Sequence, residues 1–130
     1  MRTRLIAAAL ILSALPALAD EPGPGGSKPP VPKTGAEVYK VYCQACHMAD
    51  AKGAVGAAAF PALAANPRLG SPQYAMFIIE NGKAAMPGFK GSLTPAQEAA
   101  LIGYLRTHFG NSYPEPVTVA DVEAMRKAAR

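Results

Sequence analysis

The chain has 130 residues, with 13 basic against 9 acidic side chains, 13 prolines, 12 glycines and two cysteines. This length bounds it to one small domain once the ends are set aside. No run of Lys and Arg interleaved with aromatics occurs, which excludes nucleic acid as a partner on compositional grounds.

Residues 1–19 are predicted to be a signal peptide. Arg2 and Arg4 form a basic head, Leu5 to Leu15 is an apolar run, and Ala17-Leu18-Ala19 fits a small-x-small cleavage pattern. The run is shorter than the ~20 residues of a spanning helix, so the mature chain is expected to be exported, periplasmic and without a transmembrane segment. Setting Arg2 and Arg4 apart lowers the formal charge from +4 to +2, leaving little basic character. Residues 20–33, DEPGPGGSKPPVPK, carry five prolines and three glycines. They predict an extended leader that buries no core.

Folded structure is predicted from Thr34. Thr34 and Glu37 have capping-box spacing, and VYKVY supplies the apolar face of a first helix running into Cys43. Residues 49–70 are rich in Gly, Ala and Pro without a period, and predict a long loop. Ser71-Pro72 opens a second helix over QYAMFIIE, stopped by Asn81-Gly82. The loop KAAMPGFKGSL follows. Thr94, Pro95 and Gln97 open a third helix, with Leu101, Ile102, Tyr104, Leu105 and Phe109 as its buried stripe. Beyond Gly110-Asn111 lies a proline-broken extension, residues 112–130, with a weaker amphipathic stretch from Thr118 to about Arg130. No strand, repeat or heptad is predicted, so the fold class is all-α. Three short helices and Ala-rich loops make a thin core, and a chain of this size often packs around a cofactor or a covalent staple.

The chemistry concentrates in VYCQACHMAD. Cys43 and Cys46 sit three apart with His47 directly behind, and no other cysteine exists. A redox dithiol wants a helix start after a strand, whereas this pair falls at a helix end. A zinc site wants four N or S ligands, and the second histidine, His108, stands alone on the third helix. C-x-x-C-H is the attachment pattern of c-type haem. Two thiols at this spacing reach the two vinyl groups of a porphyrin edge, and His47 is carried under the iron. One such motif implies one covalently attached haem c per chain. For the sixth ligand, Met48 adjoins His47, Met76 falls on a helical apolar stripe and Met125 in the weak tail. Met86 lies in a loop and is followed by Pro87, which stiffens the backbone. The candidate cofactor-binding residues are therefore Cys43, Cys46, His47 and Met86, with His47 and Met86 as metal ligands. His108 is a rival placed on the surface by its position off the stripe. A His/Met pair fills both axial positions, which suits electron transfer.

These residues resemble a class I c-type cytochrome of the short bacterial monohaem kind, over about residues 34–111. Gly35 and Tyr39 match the first-helix glycine and aromatic, Leu101 and Tyr104 the partner positions on the last helix, and Met86, Pro87 and Phe89 the M-P-x-F methionine loop. Phe60, Pro61 and Leu63 resemble an F-P-P-L segment with Ala62 in place of the second proline. The resemblance implies three core helices with long loops wrapped around a covalent haem. It also implies a loop carbonyl near this segment that accepts the second ring N–H of His47. FPALAANP, MPGF and YLRTHFGN are similar to cytochrome subunits of bacterial periplasmic dehydrogenases. The implied function is single-electron transfer from a dehydrogenase to a downstream cytochrome or oxidase, with no catalytic residue. Ala54 to Ala59 with Ala84, Ala85, Pro87 and Gly88 are expected to frame the haem edge, where Lys52, Lys83 and Lys90 either steer an acidic partner or stand as ordinary solvated lysines. Two other functions compete: a haem protein with an exchangeable sixth ligand, acting as gas sensor or peroxidase, and a haem-free disulfide domain.

Overall fold

The computed structural model describes residues 30–56 and 59–129. The signal peptide, most of the leader, Ala57, Ala58 and Arg130 lie outside the described residues. The first helical run opens as its sequence dictates. Thr34 Oγ1 accepts the Glu37 N–H at 3.2 Å, and Glu37 Oε2 accepts the Thr34 N–H at 2.9 Å. Structure begins slightly earlier than the leader composition implies, because the Pro32 carbonyl accepts a hydrogen bond from Gln97 Nε2 at 2.9 Å.

Between α1 (Gly35–Val38) and α2 (Gln44–His47) the backbone widens into one π turn over Tyr39–Cys43, in which the Gln44 N–H reaches the Tyr39 carbonyl. Val38 and Tyr39 are buried, whereas Val41, read as part of the apolar face, points outward and is 60% exposed. A short ladder follows, β1 (Ala54–Val55) antiparallel to β2 (Ala59–Phe60), with Ala54 opposite Phe60 and Val55 opposite Ala59. The sequence predicts no strand here. Two-residue strands are too short to show alternation, and backbone approach sets this pairing: Gly53 has φ +69, and a Cβ on it would meet the Phe60 carbonyl. The same loop closes with a 3₁₀ turn at Pro67–Gly70, capped by Asn66.

α3 (Pro72–Asn81) is capped by Ser71 and ended by Gly82 at φ +73. α4 (Pro95–Thr107) carries the reciprocal Thr94–Gln97 cap, and Leu101, Ile102 and Leu105 are buried along it. α1 crosses α4 at Gly35, where a Cβ would run into the Ala100 carbonyl and the Tyr104 Cβ. This crossing stacks Tyr39, Tyr104 and Phe109, with ring centroids 5.1 to 6.1 Å apart.

The extension also packs on the core. α5 (Val119–Ala128) starts at a Thr118–Asp121 cap, buries Val122 completely, and lies on α3 and α4. Two buried polar side chains tie the loops to α4. Arg106, 2% exposed, donates to the carbonyls of Leu69 and Gly70 at 2.7 and 2.9 Å and to Glu115 at 3.0 Å. Asn111 accepts the Asn66 N–H at 2.8 Å and donates to the carbonyls of Leu63 and Leu105 at 2.9 and 2.8 Å.

Candidate functional site

The C-x-x-C-H segment spans the end of the π turn and all of α2, which stops because Met48 turns to φ +67. His47 is the buried residue of α2, and its Nδ1 lies 2.8 Å from the Pro61 carbonyl oxygen. A carbonyl only accepts, so Nδ1 carries the proton and Nε2 keeps its lone pair for a metal. The Pro61 carbonyl thus occupies the place left open by Ala62, which stands where the resembling segment has a second proline. The surrounding backbone is held by main-chain hydrogen bonds and one tyrosine hydroxyl. The Ala51 carbonyl accepts N–H groups of Leu63 and Ala64 at 2.7 and 2.9 Å, Gly53 donates to the His47 carbonyl at 3.1 Å, and the Tyr39 hydroxyl donates to the Met48 carbonyl at 2.6 Å.

The two cysteines are not joined to each other in a disulfide, and Cys43 is half-buried and Cys46 exposed. Burial, and secondarily Cys46, push the Cys43 thiol up to about 12. A catalytic dithiol needs the opposite shift. Among the described residues no group of three or more His, Cys, Asp or Glu side chains converges to hold a metal ion. His108 is exposed and stacked on Tyr104 at 4.1 Å, away from the other histidine.

The methionines separate as their sequence positions suggest. Met76 is 2% exposed inside the core, Met125 is half-buried on α5, and Met48 closes the histidine helix. Met86 is half-buried in the loop between α3 and α4, where its backbone pairs with Lys83 through two 3.0 Å hydrogen bonds. The two halves of the predicted site meet through aromatic rings. Tyr42, beside Cys43, packs edge-on against Phe89 of the methionine loop at 5.9 Å. Met48, Ala51 and Ala84 all adopt positive φ, at 67, 58 and 52°. Such conformations persist where the surroundings dictate the backbone, and these three flank the histidine and methionine segments. Lys52, Lys83 and Lys90 are exposed; Lys52 lies 3.5 Å from Asp50, and Lys83 and Lys90 form no ion pair among the described residues.

The crossed terminal helices and the inward-turned histidine behind C-x-x-C are the features of a class I c-type cytochrome, an electron-transfer haem protein and not itself an enzyme. Residues 30–105 match the family described as cytochrome c oxidase, cbb3-type, subunit III, and the chain belongs to that family. It is also similar to the cytochrome c subunit of alcohol dehydrogenase (quinone) from Gluconacetobacter polyoxogenes and from Komagataeibacter europaeus. Each is 35% identical over 105 residues, covering 71% of this chain and 22% of the relative. The corresponding subunit of Gluconobacter oxydans (strain 621H) is 32% identical over the same shares. The chain therefore spans about a fifth of the length of the curated relatives it matches. No helix among the described residues is long and apolar enough to cross a membrane.

Sequence reasoning passed over four buried polar side chains: Glu80, Glu98, Arg106 and Asn111. For the glutamates a signal existed. Glu98 is three residues before Leu101 and four before Ile102, and Glu80 is four after Met76, so both sit on apolar helical stripes.

Proposed function

We propose that the chain is a periplasmic monohaem cytochrome in which Cys43 and Cys46 hold one haem c covalently and His47 and Met86 are the axial ligands. The haem, when bound, takes up and releases one electron at its iron. His47 presents Nε2 to the metal while the Pro61 carbonyl fixes its ring and raises its basicity. Met86 closes the opposite position, so small ligands are kept out and no bond to a substrate is made. The small residues Ala54, Gly56, Ala59, Ala84, Ala85 and Gly88 would leave the cofactor edge open to a partner, and Lys83 and Lys90 would favour an acidic one. The partners proposed are a dehydrogenase as donor, supported by the description of the relatives, and a downstream cytochrome or oxidase as acceptor.

The observation that carries this reading is the 2.8 Å contact between His47 Nδ1 and the Pro61 carbonyl, which leaves one ring nitrogen for iron. The test is the absorption spectrum of the purified oxidised protein. A weak near-infrared band from methionine sulfur to iron is expected. Its absence, with rapid binding of CO or cyanide, would replace this reading with a haem protein whose sixth ligand exchanges. Covalent attachment is checked by haem staining on a denaturing gel.

A further inference from the structure

Three helices place their charges in one buried cluster. Glu80, in the last turn of α3, is 6% exposed, and Glu98, in the first turn of α4, is 0% exposed. A single guanidinium reaches both. Arg126 of α5 donates from Nε to Glu80 Oε1 at 2.6 Å, and from Nη2 to Glu98 Oε2 at 2.7 Å and the Leu93 carbonyl at 3.0 Å. Two carboxylates against one cation leave a negative charge in excess. Glu98 Oε1 is buried without a hydrogen-bond partner, an arrangement that a proton on one carboxyl relieves. Burial, with Glu80 adding to it and Arg126 opposing, pushes the Glu98 carboxyl up to about 7. The other charges nearby stay at the rim. Glu123 and Lys127 flank Arg126 in an open surface depression beside Pro95, Asp121 caps α5, and Lys90 meets Glu80 through its backbone.

The cluster lies at the foot of the methionine loop. The Phe89 N–H donates to the Ile79 carbonyl at 2.7 Å and the Lys90 N–H to the Glu80 carbonyl at 3.3 Å. A Cβ on Gly88 would come 2.6 Å from the Glu80 carbonyl oxygen, so the loop lies directly on the last turn of α3. That turn is what Arg126 fastens to α4. We propose that Arg126 is a positioning residue for Met86, holding this turn and the loop laid on it, and that a proton on Glu98 completes the clasp, which loosens as pH rises. The inference rests on Met86 being an iron ligand. Two carboxylates under one guanidinium are stable with a proton on one of them. Once both are ionised they share a single cation, and the end of α3 and the start of α4 repel each other.

The test follows the near-infrared methionine–iron band of the full haem-loaded chain from pH 5 to 10. In Arg126→Gln the band is expected to disappear at a pH at least one unit below that of the wild type. Glu98→Gln, neutral at every pH, keeps it to a pH at least one unit above. The Arg126→Gln/Glu98→Gln double variant is expected to recover wild-type behaviour or better, a rescue that loss of packing alone does not give. An unmoved pH midpoint in both single variants overturns the clasp while leaving Met86 as ligand. Absence of the band from the wild type at all pH values overturns the Met86 assignment and the positioning role together.

Discussion

Replacing Gly35 by alanine adds one methyl group at the point where α1 crosses α4. The new Cβ would meet the Ala100 carbonyl oxygen and the Tyr104 Cβ, each closer than van der Waals contact permits. Neither atom is the tip of a flexible side chain, so the two helices must separate. Overpacking of this kind costs about 1–3 kcal/mol, offset by less than 1 kcal/mol from the better helix propensity of alanine. Gly103 on α4 is the internal control, because a Cβ there meets nothing within 4 Å and the same change stabilises by about 0.5–1 kcal/mol. For a domain of this size 1 kcal/mol moves the melting midpoint by about 4–8 °C. Gly35→Ala is therefore expected to lower the midpoint by roughly 5–15 °C and Gly103→Ala to raise it by roughly 2–8 °C. Thermal melts of the haem-loaded protein followed by circular dichroism read both. A Gly35→Ala midpoint at or above that of the wild type would refute the close crossing.

Met86→Ala is expected to keep the covalent haem, lower its reduction potential and open the iron to cyanide or CO, as read by voltammetry and ligand titration. Arg106→Met removes the donors of the Leu69 and Gly70 carbonyls and should cost about 3 kcal/mol in urea unfolding, whereas Glu115→Gln, with 74% of its side chain exposed, should change stability by less than about 1 kcal/mol. The Glu98 carboxyl lies at about 7 in the folded chain against an ordinary 4.5. Its stabilising contribution is full below the lower value and is lost as pH rises through the higher one, about 3 kcal/mol at most. Glu37, Asp50 and Asp121 are held below the ordinary carboxylate range, Glu37 and Asp50 chiefly by backbone N–H groups and Asp121 by the Thr118 hydroxyl. They act in the opposite sense and only at lower pH. The urea midpoint should thus be higher at pH 5 than at pH 8 in the wild type and nearly equal at the two in Glu98→Gln.

Much of this fold was legible because local chemistry decides it. Thr34 with Glu37, Ser71 with Pro72 and Thr94 with Gln97 each satisfy orphan N–H groups at a helix start, and each helix begins there. The Thr118–Asp121 cap of α5 obeys the same rule with aspartate in place of glutamate. The C-x-x-C-H segment stands out in the sequence for a different reason, since its spacing and its place at a helix end narrow what it can hold. The partner of His47 does not, because a backbone carbonyl carries no residue label: only the fold brings the Pro61 oxygen to Nδ1. The short ladder of β1 and β2 escaped for the same reason, being made by main-chain approach around Gly53.

The buried charges show what periodicity reads poorly. Glu80 and Glu98 occupy positions where the helical period demands apolar residues, and neither draws a role from the apolar pattern alone. An acidic side chain is seldom fully buried unless it is paired, so a glutamate on an apolar stripe implies a cation elsewhere in the chain. Two such glutamates on neighbouring helices imply one shared cation or a shared proton. Arg126 supplies the cation from the C-terminal extension. Buried ion pairs contribute little net stability against an apolar core but leave few alternative packings open. That property suits the α3 end of this molecule. Met86 itself is flanked by Ala84, Ala85, Pro87 and Gly88, so its position depends on the turn beneath the loop, which is held by these charges.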